Sequence, residues 1–327
     1  MLSQIKLKVS DIQQLTTNIK MFELKAVDGG KLPTWEAGSH IDFQIGDHMR
    51  RSYSLANKPG DTESYITAIL RESDGGGGSK YMHDEVSIGD QLVIVEPPTN
   101  HFPLFEEASM HLLIGGGIGI TPLRSMGFRL MELGADYHLH YCTKTKEETA
   151  FYSDIIEVFG VDRVTFHHDR GNPANGIKLE EVLGAQEEGQ HLYICGPSGL
   201  IKAARDATGH WRDGTVHFEL FASANMDVKS VEAPSSDDGD QPFEVELKKS
   251  GISFTVPADK SIIELLWEHD VDVMYACEDG WCGNCKVGLI SGKVDHRDEF
   301  LDEDDRENFI QVCVSRANPG EKLVLDI

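Results

Sequence analysis

Short runs of alternating apolar and polar residues fill the chain from Ile5 to about Pro98, among them IKMFELKAV, HIDFQIG, RRSYSLA, SYITAIL and QLVIVEP, with Gly, Asp and Pro between them. Period-two alternation in such runs is the mark of a half-buried strand, and several closely spaced strands predict an antiparallel barrel over residues 1–105. From His111 the grammar changes. HLLI is followed by a helical stretch from Thr121, and YHLHYC, VTFHHD, LYICG and VHFELF then alternate with further helical segments, which predicts βαβ units and a parallel sheet over residues 106–225. Residues 226–242 carry almost no large apolar side chain and are expected to be a solvated linker. In residues 243–327, FEVELKKS and ISFTVPA read as a hairpin, SIIELLWEHD as an amphipathic helix, and KVGLISG and KLVLDI as closing strands.

With 327 residues, two or three domains are expected. No run approaches the ~18 apolar residues of a membrane-spanning helix, and the opening MLSQIKLKVSDI already alternates like a strand, without a signal-peptide core. A cytoplasmic protein without a membrane span is the expectation. The net charge of −25, with no cluster of Lys and Arg, argues against nucleic acid as a partner. Acidity is heaviest at the end: residues 243–327 hold 19 Asp and Glu against 9 Lys and Arg. Asp298 to Glu307, DEFLDEDDRE, reads as a solvated helix start or as a surface steering a basic partner.

Four of the six cysteines lie in that last segment. Cys277-x4-Cys282-x2-Cys285, with Cys313 28 positions on, is the spacing of plant-type [2Fe-2S] proteins. Gly280 and Gly283 allow a tight backbone around such a cluster. Zinc and buried free cysteines are the alternatives, but zinc usually draws its ligands as two separated pairs.

After the strand HLLI comes Gly115-Gly116-Gly117-Ile118-Gly119-Ile120-Thr121-Pro122, a Gly-rich turn with Thr121 placed as N-cap and Pro122 at the first helical position. Bare backbone leading into a helix N-terminus is a diphosphate site. Ile120 stands where a third glycine of G-x-G-x-x-G would be, so the turn also fits an ordinary strand-to-helix connection. Cys195-Gly196-Pro197 ends the strand LYI and faces the same crevice in a parallel sheet. Cys195 reads either as a positioning residue beside a nicotinamide or as a core cysteine. On the strand Arg51-Ser52-Tyr53-Ser54, alternation sends Arg51 and Tyr53 to one face, a cation for a phosphate beside an aromatic plane, or simply a barrel strand with an exposed Arg.

RSYS, GGGIGITP, CGP and the C-terminal cysteines occur in the order seen in the phthalate dioxygenase reductase family, which the whole chain resembles, particularly the reductases of Rieske-type demethylases and monooxygenases acting with vanillate or carnitine oxygenases. That resemblance implies an antiparallel β-barrel flavin domain, an α/β parallel-sheet nicotinamide-binding domain and a C-terminal α+β β-grasp ferredoxin domain. The ferredoxin-last order goes with FMN. The resemblance further implies that Arg51 holds the FMN phosphate, Tyr53 packs on the isoalloxazine, Ser54 lies near its N5, and the backbone of Ala68, Ile69 and Leu70 lines the ring, while Gly77, Gly78 and Ser79 form a phosphate-binding turn and Phe221 covers the other ring face. Relatives often carry Arg where Gly76 stands, so the resemblance implies one phosphate contact fewer here. Ser52 is counted with the flavin strand, and Gly116, Gly117, Gly119, Thr121, Pro122, Cys195, Gly196 and Pro197 with the nucleotide.

The expected function is transfer of electrons from NADH through FMN and the cluster to a terminal Rieske-type oxygenase. NADPH stays possible because Lys144 and Lys146 follow the strand YHLHYC. A reductase for another acceptor such as a cytochrome P450, a flavoenzyme oxidising a small substrate itself, and a simple electron carrier are the competing readings.

Overall fold

The computed structural model describes residues 4–45, 49–73, 77–95, 97–220, 240–269, 271, 273, 280, 285–298, 300–301 and 303–327. The chain divides into two compact units, Met1–Asn225 and Met226–Ile327. Most of the expected linker at 226–242 lies outside the described residues.

The alternating runs of the first hundred residues become β1 (Ile5–Thr16), β2 (Ile19–Ala26), β3 (His40–Ile45), β4 (Met49–Ser54) and β5 (Tyr65–Leu70), then α1 (Gly78–Asp84) and β6 (Gln91–Ile94). The strands form one antiparallel sheet in the order β4-β3-β6-β1-β2-β5. Its two outer strands meet at a Leu55–Thr67 bridge, which closes the sheet on itself as the barrel reading expects. Leu7, Val9, Phe22, Leu24, Ile41, Phe43, Ile69 and Ile94 fill the interior at nearly zero exposure. The helix α1 has no counterpart in the sequence reading, because GSKYMHD shows no helical apolar stripe.

The second half of this unit runs β7 (Met110–Gly116), a 3-10 turn (Gly117–Gly119), α2 (Ile120–Leu133), β8 (Tyr137–Thr143), α3 (Tyr152–Phe159), β9 (Val164–His168), α4 (Leu179–Leu183), β10 (Gln190–Gly196), α5 (Ser198–Ala207) and β11 (Val216–Leu220). All five strands are parallel, in the order β11-β10-β7-β8-β9. The chain therefore reverses its winding beside β7, and the crevice beyond the carboxyl ends of β7 and β10 is where such a sheet binds ligands. One apolar cluster joins Ala37, Ala56 and Ala68 of the barrel to Leu113, Ile120, Leu123 and Tyr141 of the α/β sheet. Buried Arg124 on α2 locks the junction: its guanidinium donates to the Ala56 carbonyl and to Asp154 on α3 at 2.6 Å.

In the second unit, β12 (Phe243–Leu247), β13 (Ser253–Val256), α6 (Ile262–Glu268), β14 (Lys286–Ser291), β15 (Val294–Asp295), α7 (Glu303–Arg306), β16 (Phe309–Gln311), β17 (Arg316–Ala317) and β18 (Lys322–Leu325) follow in turn. A five-stranded mixed sheet, β13-β12-β18-β14-β16, is joined by the small pair β15-β17. Seven residues are too few for α6 to hold as an isolated helix. Ile262, Ile263, Leu265 and Leu266 are buried against the sheet, each contributing about 1.5–3 kcal/mol, and a Ser261–Glu264 capping box starts it. The acidic run departs from its solvated reading at one end. Asp298 is 3% exposed, accepting from the Leu301 N–H at 2.8 Å and lying beside the Ser315 hydroxyl at 3.3 Å, so this carboxylate organises a loop and is unavailable to a partner.

Candidate functional site

The pleat of β4 arranges its side chains as alternation requires. Arg51 and Tyr53 are half-buried on one face, and Ser52 is exposed on the other, where its hydroxyl donates to Asp42 at 2.5 Å. Tyr53 packs its ring 5.8 Å from that of Phe43, and burial raises its phenol well above the usual range. Gly77 adopts φ +91°, a left-handed conformation that favours glycine, and α1 starts directly after it. A Cβ on Gly78 would stand 2.6 Å from Arg51 Cγ. Arg51, Gly77 and Gly78 thus form one cradle of cation and bare backbone, as an anionic phosphate requires. Ser79 is turned elsewhere, its hydroxyl accepting from the Glu72 N–H at 3.2 Å. Gly76 and Phe221 lie outside the described residues.

Beyond the Leu55–Thr67 bridge, no ladder joins β4 and β5 among the described residues. On their far side Ala68, Ile69 and Leu70 of β5 pair with Met21, Lys20 and Ile19 of β2, so the edge of β5 left over faces β4, which carries Arg51 and Tyr53. Peptide groups on an unpaired edge are free to meet the polar rim of a planar ring. Ala68 and Ile69 are buried, and the Ile69 carbonyl is already paired with His83 Nε2 at 2.8 Å.

The nucleotide motifs interlock. A Cβ on Gly119 would lie 2.2 Å from the Cys195 carbonyl oxygen, and one on Gly116 would lie 2.6 Å from Pro197 Cδ. The exclusion is mutual, since a Cβ on Gly196 would lie 2.8 Å from Gly116 Cα. Gly117, at φ +54°, has open space on its Cβ side, so the turn exposes backbone to the crevice there. The helix begins earlier than its sequence signals place it. Gly119 is the N-cap, without a side-chain bond, and Thr121 sits inside the first turn with its hydroxyl on the Ile118 carbonyl at 3.0 Å. Thr121 is therefore not the cap, and Pro122 holds the third helical position, because the 3-10 turn Gly117–Gly119 runs directly into α2. Pro122 is still tolerated there, since first-turn N–H groups have no partner within the helix.

Cys195 is fully buried, and burial first, then the neighbouring Glu219, raises its thiol. Such a thiol is inert as a nucleophile and serves as packing or positioning. Its ladder partner on β11 is Glu219, which the Ser54 hydroxyl of β4 approaches at 3.3 Å. Desolvation pushes the Glu219 carboxyl up to about 8, offset in part by Ser54. The structure thus brings Ser54 of the barrel and Cys195 of the α/β sheet together through a carboxyl that the sequence reading passed over. The available signal was an acidic residue at the centre of the apolar strand VHFELF.

Glu219 gives a pH prediction. Between pH 4.5 and about 8 the folded chain holds a proton the unfolded chain has lost, so stability falls as pH rises through that window. Glu219→Gln is expected to flatten this fall, measured as urea midpoints from pH 5 to 9.

In the second unit, Cys277, Cys282 and Gly283 lie outside the described residues. Cys285 and Cys313 are both buried, with sulfurs 2.9 Å apart, well beyond the ~2.05 Å of a disulfide. Two buried thiols converging from distant parts of the chain suit a shared iron. At Gly280, φ +77°, a Cβ would meet Val314 at 2.7 Å and the Asp298 backbone at 3.0 Å, so the loop passes where only glycine fits.

No described helix is long and apolar enough to cross a membrane. Residues 245–318 match a 2Fe-2S iron-sulfur cluster binding domain, and residues 6–103 an oxidoreductase FAD-binding domain. The phthalate dioxygenase reductase of Burkholderia cepacia is 40% identical over 99% of this chain and 97% of its own length. The tert-butanol monooxygenase / tert-amyl alcohol desaturase reductase subunit of Aquincola tertiaricarbonis is 40% identical over 99% and 96%. A solved phthalate dioxygenase reductase, described as modular for electron transfer from pyridine nucleotides to [2Fe-2S], superposes with a TM-score of 0.76 at 39% identity, covering 99% of this chain and 98% of that one. By sequence and by three-domain fold, the chain belongs to the phthalate dioxygenase reductase family of flavin and iron-sulfur oxidoreductases.

Proposed function

We propose that the chain is the reductase component of a Rieske-type oxygenase or demethylase system, cytoplasmic, taking hydride from NADH onto FMN and delivering single electrons through a [2Fe-2S] centre to the oxygenase. The observation that carries this reading is the Ser54–Glu219–Cys195 contact, which sets the strand of the flavin motif against the strand end of the nucleotide motif at hydrogen-bond distance. The domain division proposed is 1–105 for flavin, 106–225 for nucleotide, 226–242 as linker and 243–327 for the cluster; the self-contained cores of the barrel and of the C-terminal unit support its first and last members, while the α/β core shares its cluster with the barrel.

Bound flavin takes two electrons together and releases them singly, which is what a hydride donor and a one-electron cluster need between them. The residues supply position. Arg51 with the backbone of Gly77 and Gly78 would hold the FMN phosphate, Ser79 would fix that turn through its bond to the Glu72 N–H, Tyr53 would pack on the ring, and Ser54 would stand at its reacting edge. Ala68, Ile69 and Leu70 would line the opposite rim. FMN is favoured over FAD by the ferredoxin-last order, although the matched domain family is described by FAD. Gly116, Gly117 and Gly119 would admit the diphosphate to the α2 N-terminus, with Thr121 and Pro122 shaping that turn, and Cys195, Gly196 and Pro197 would position the nicotinamide. Cys277, Cys282, Cys285 and Cys313 would ligate the cluster.

From a nicotinamide at Cys195 on β10, past the β7 turn, the adenosine end would lie over β8 and β9. There a pocket of about 560 Å³ is lined by Lys144, Thr145, Lys146, Glu147, Glu148, His168, Arg170 and Gly171. Three cations beside two carboxylates do not repel a 2′-phosphate. NADPH is therefore expected to reach kcat/KM within about tenfold of NADH, and Lys144→Glu to widen that gap by about tenfold; paired steady-state assays check it.

The test of the whole reading is the visible spectrum of the anaerobic protein before and after one equivalent of NADH. Flavin and cluster bands that both bleach are expected. Cluster bands without flavin, or flavin that NADH leaves oxidised, would sink the hydride-entry half.

A further inference from the structure

Gln311, on β16 two residues before Cys313, is fully buried, and its side-chain amide reaches the sulfur of Cys285. Cys285 Sγ lies 2.8 Å from Gln311 Oε1, the thiol donating to the oxygen, while Gln311 Nε2, with two N–H groups, is buried without a hydrogen-bond partner among the described residues. An orphaned buried amide is rare enough to require a cause. A half-turn of the amide exchanges its oxygen and nitrogen at almost no change of shape. With a thiol at Cys285 the oxygen is the right atom to face sulfur. With a thiolate it is the wrong one, because a ligand sulfur has no proton to give and repels a carbonyl oxygen.

We propose that the Gln311 amide is turned with Nε2 towards Cys285 when the cluster is bound, donating an N–H···S hydrogen bond to that ligand and setting the reduction potential of the centre. The inference rests on the reading of Cys285 as a cluster ligand. Adding one electron to the bound cluster adds one negative charge shared with its sulfurs, so a donor at a ligand sulfur favours the reduced form. Gln311 touches the ligand rather than any substrate and is a positioning and tuning residue.

The test uses the full chain with its cluster. Gln311→Leu and Gln311→Met keep most of the volume and remove the donor. Both are expected to shift the one-electron equilibrium about tenfold towards the oxidised cluster, 59 mV lower in a spectroelectrochemical titration, and to change the EPR g values of the reduced form. A merely structural role would lower thermal stability and leave the potential in place. Potentials within about 1.5-fold of the parent equilibrium in both variants would overturn the inference while leaving the cluster reading intact; a parent protein without cluster bands would overturn both. A second measurement needs no variant. Pulsed EPR of the reduced parent protein carrying ¹⁵N in its glutamine side chains is expected to show a coupled ¹⁵N, and its absence would overturn the proposal.

Discussion

Cys313→Ala is expected to lower NADH-dependent reduction of cytochrome c, or of the oxygenase, by more than about 100-fold, while NADH still reduces the flavin. The reasoning is local. Cys285 and Cys313 meet at 2.9 Å inside the C-terminal core, and removing one leaves a buried thiolate without the metal that justified it. A cluster with three thiolates is not held stably in a site built for four. The measurement is a pair of assays on one preparation, ferricyanide for electrons leaving the flavin and cytochrome c for electrons leaving the cluster. Equal loss in both would mean that the cluster is not the exit, and no loss in either would remove Cys313 from the ligand set.

The second large effect concerns a residue with no functional group. Gly119→Ala places a methyl 2.2 Å from the Cys195 carbonyl oxygen and 2.7 Å from the Gly196 nitrogen, atoms of a central strand that cannot swing aside. Overpacking against backbone is expected to cost about 3 kcal/mol, roughly 100-fold in the folding equilibrium, together with a rise of more than about tenfold in KM for NADH as the two halves of the crevice part. Gly117→Ala is the comparison. Its φ of +54° carries a backbone penalty of only about 1 kcal/mol, and its Cβ enters open space. Urea midpoints and NADH titrations of the two variants check the contrast. A Gly119→Ala protein as stable as Gly117→Ala would show that β10 and the turn do not pack as described.

The Gly119 contact also shows where pattern reading stops. A run of glycines after a strand says that side chains are excluded, and from one strand it cannot say by what. Here the excluding object is another strand end some 76 residues later, Cys195–Pro197, and only the parallel pairing of β7 with β10 puts them together. The same limit explains Thr121. Ser, Thr, Asp or Asn before a periodic segment is a fair cap signal. A 3-10 turn that winds continuously into the helix moves the start upstream.

What the linear order determined by itself was everything carried by local period or by ligand spacing. Alternation in IKMFELKAV and HIDFQIG specifies strands because the pleat repeats every two residues, and the stripe in SIIELLWEHD specifies a helix for the corresponding reason. The Cys277, Cys282, Cys285 and Cys313 spacing names its chemistry because a cluster needs thiolates at set reach along the chain. What only the tertiary structure decided were the contacts between distant segments: Glu219 beneath Ser54, Gln311 against Cys285, Gly78 on Arg51, and Asp298 drawn out of an acidic run into the interior. A carboxyl or an amide looks the same in the sequence whether water or protein surrounds it. Its protonation and its hydrogen-bond role are set by desolvation and by neighbours that arrive through folding.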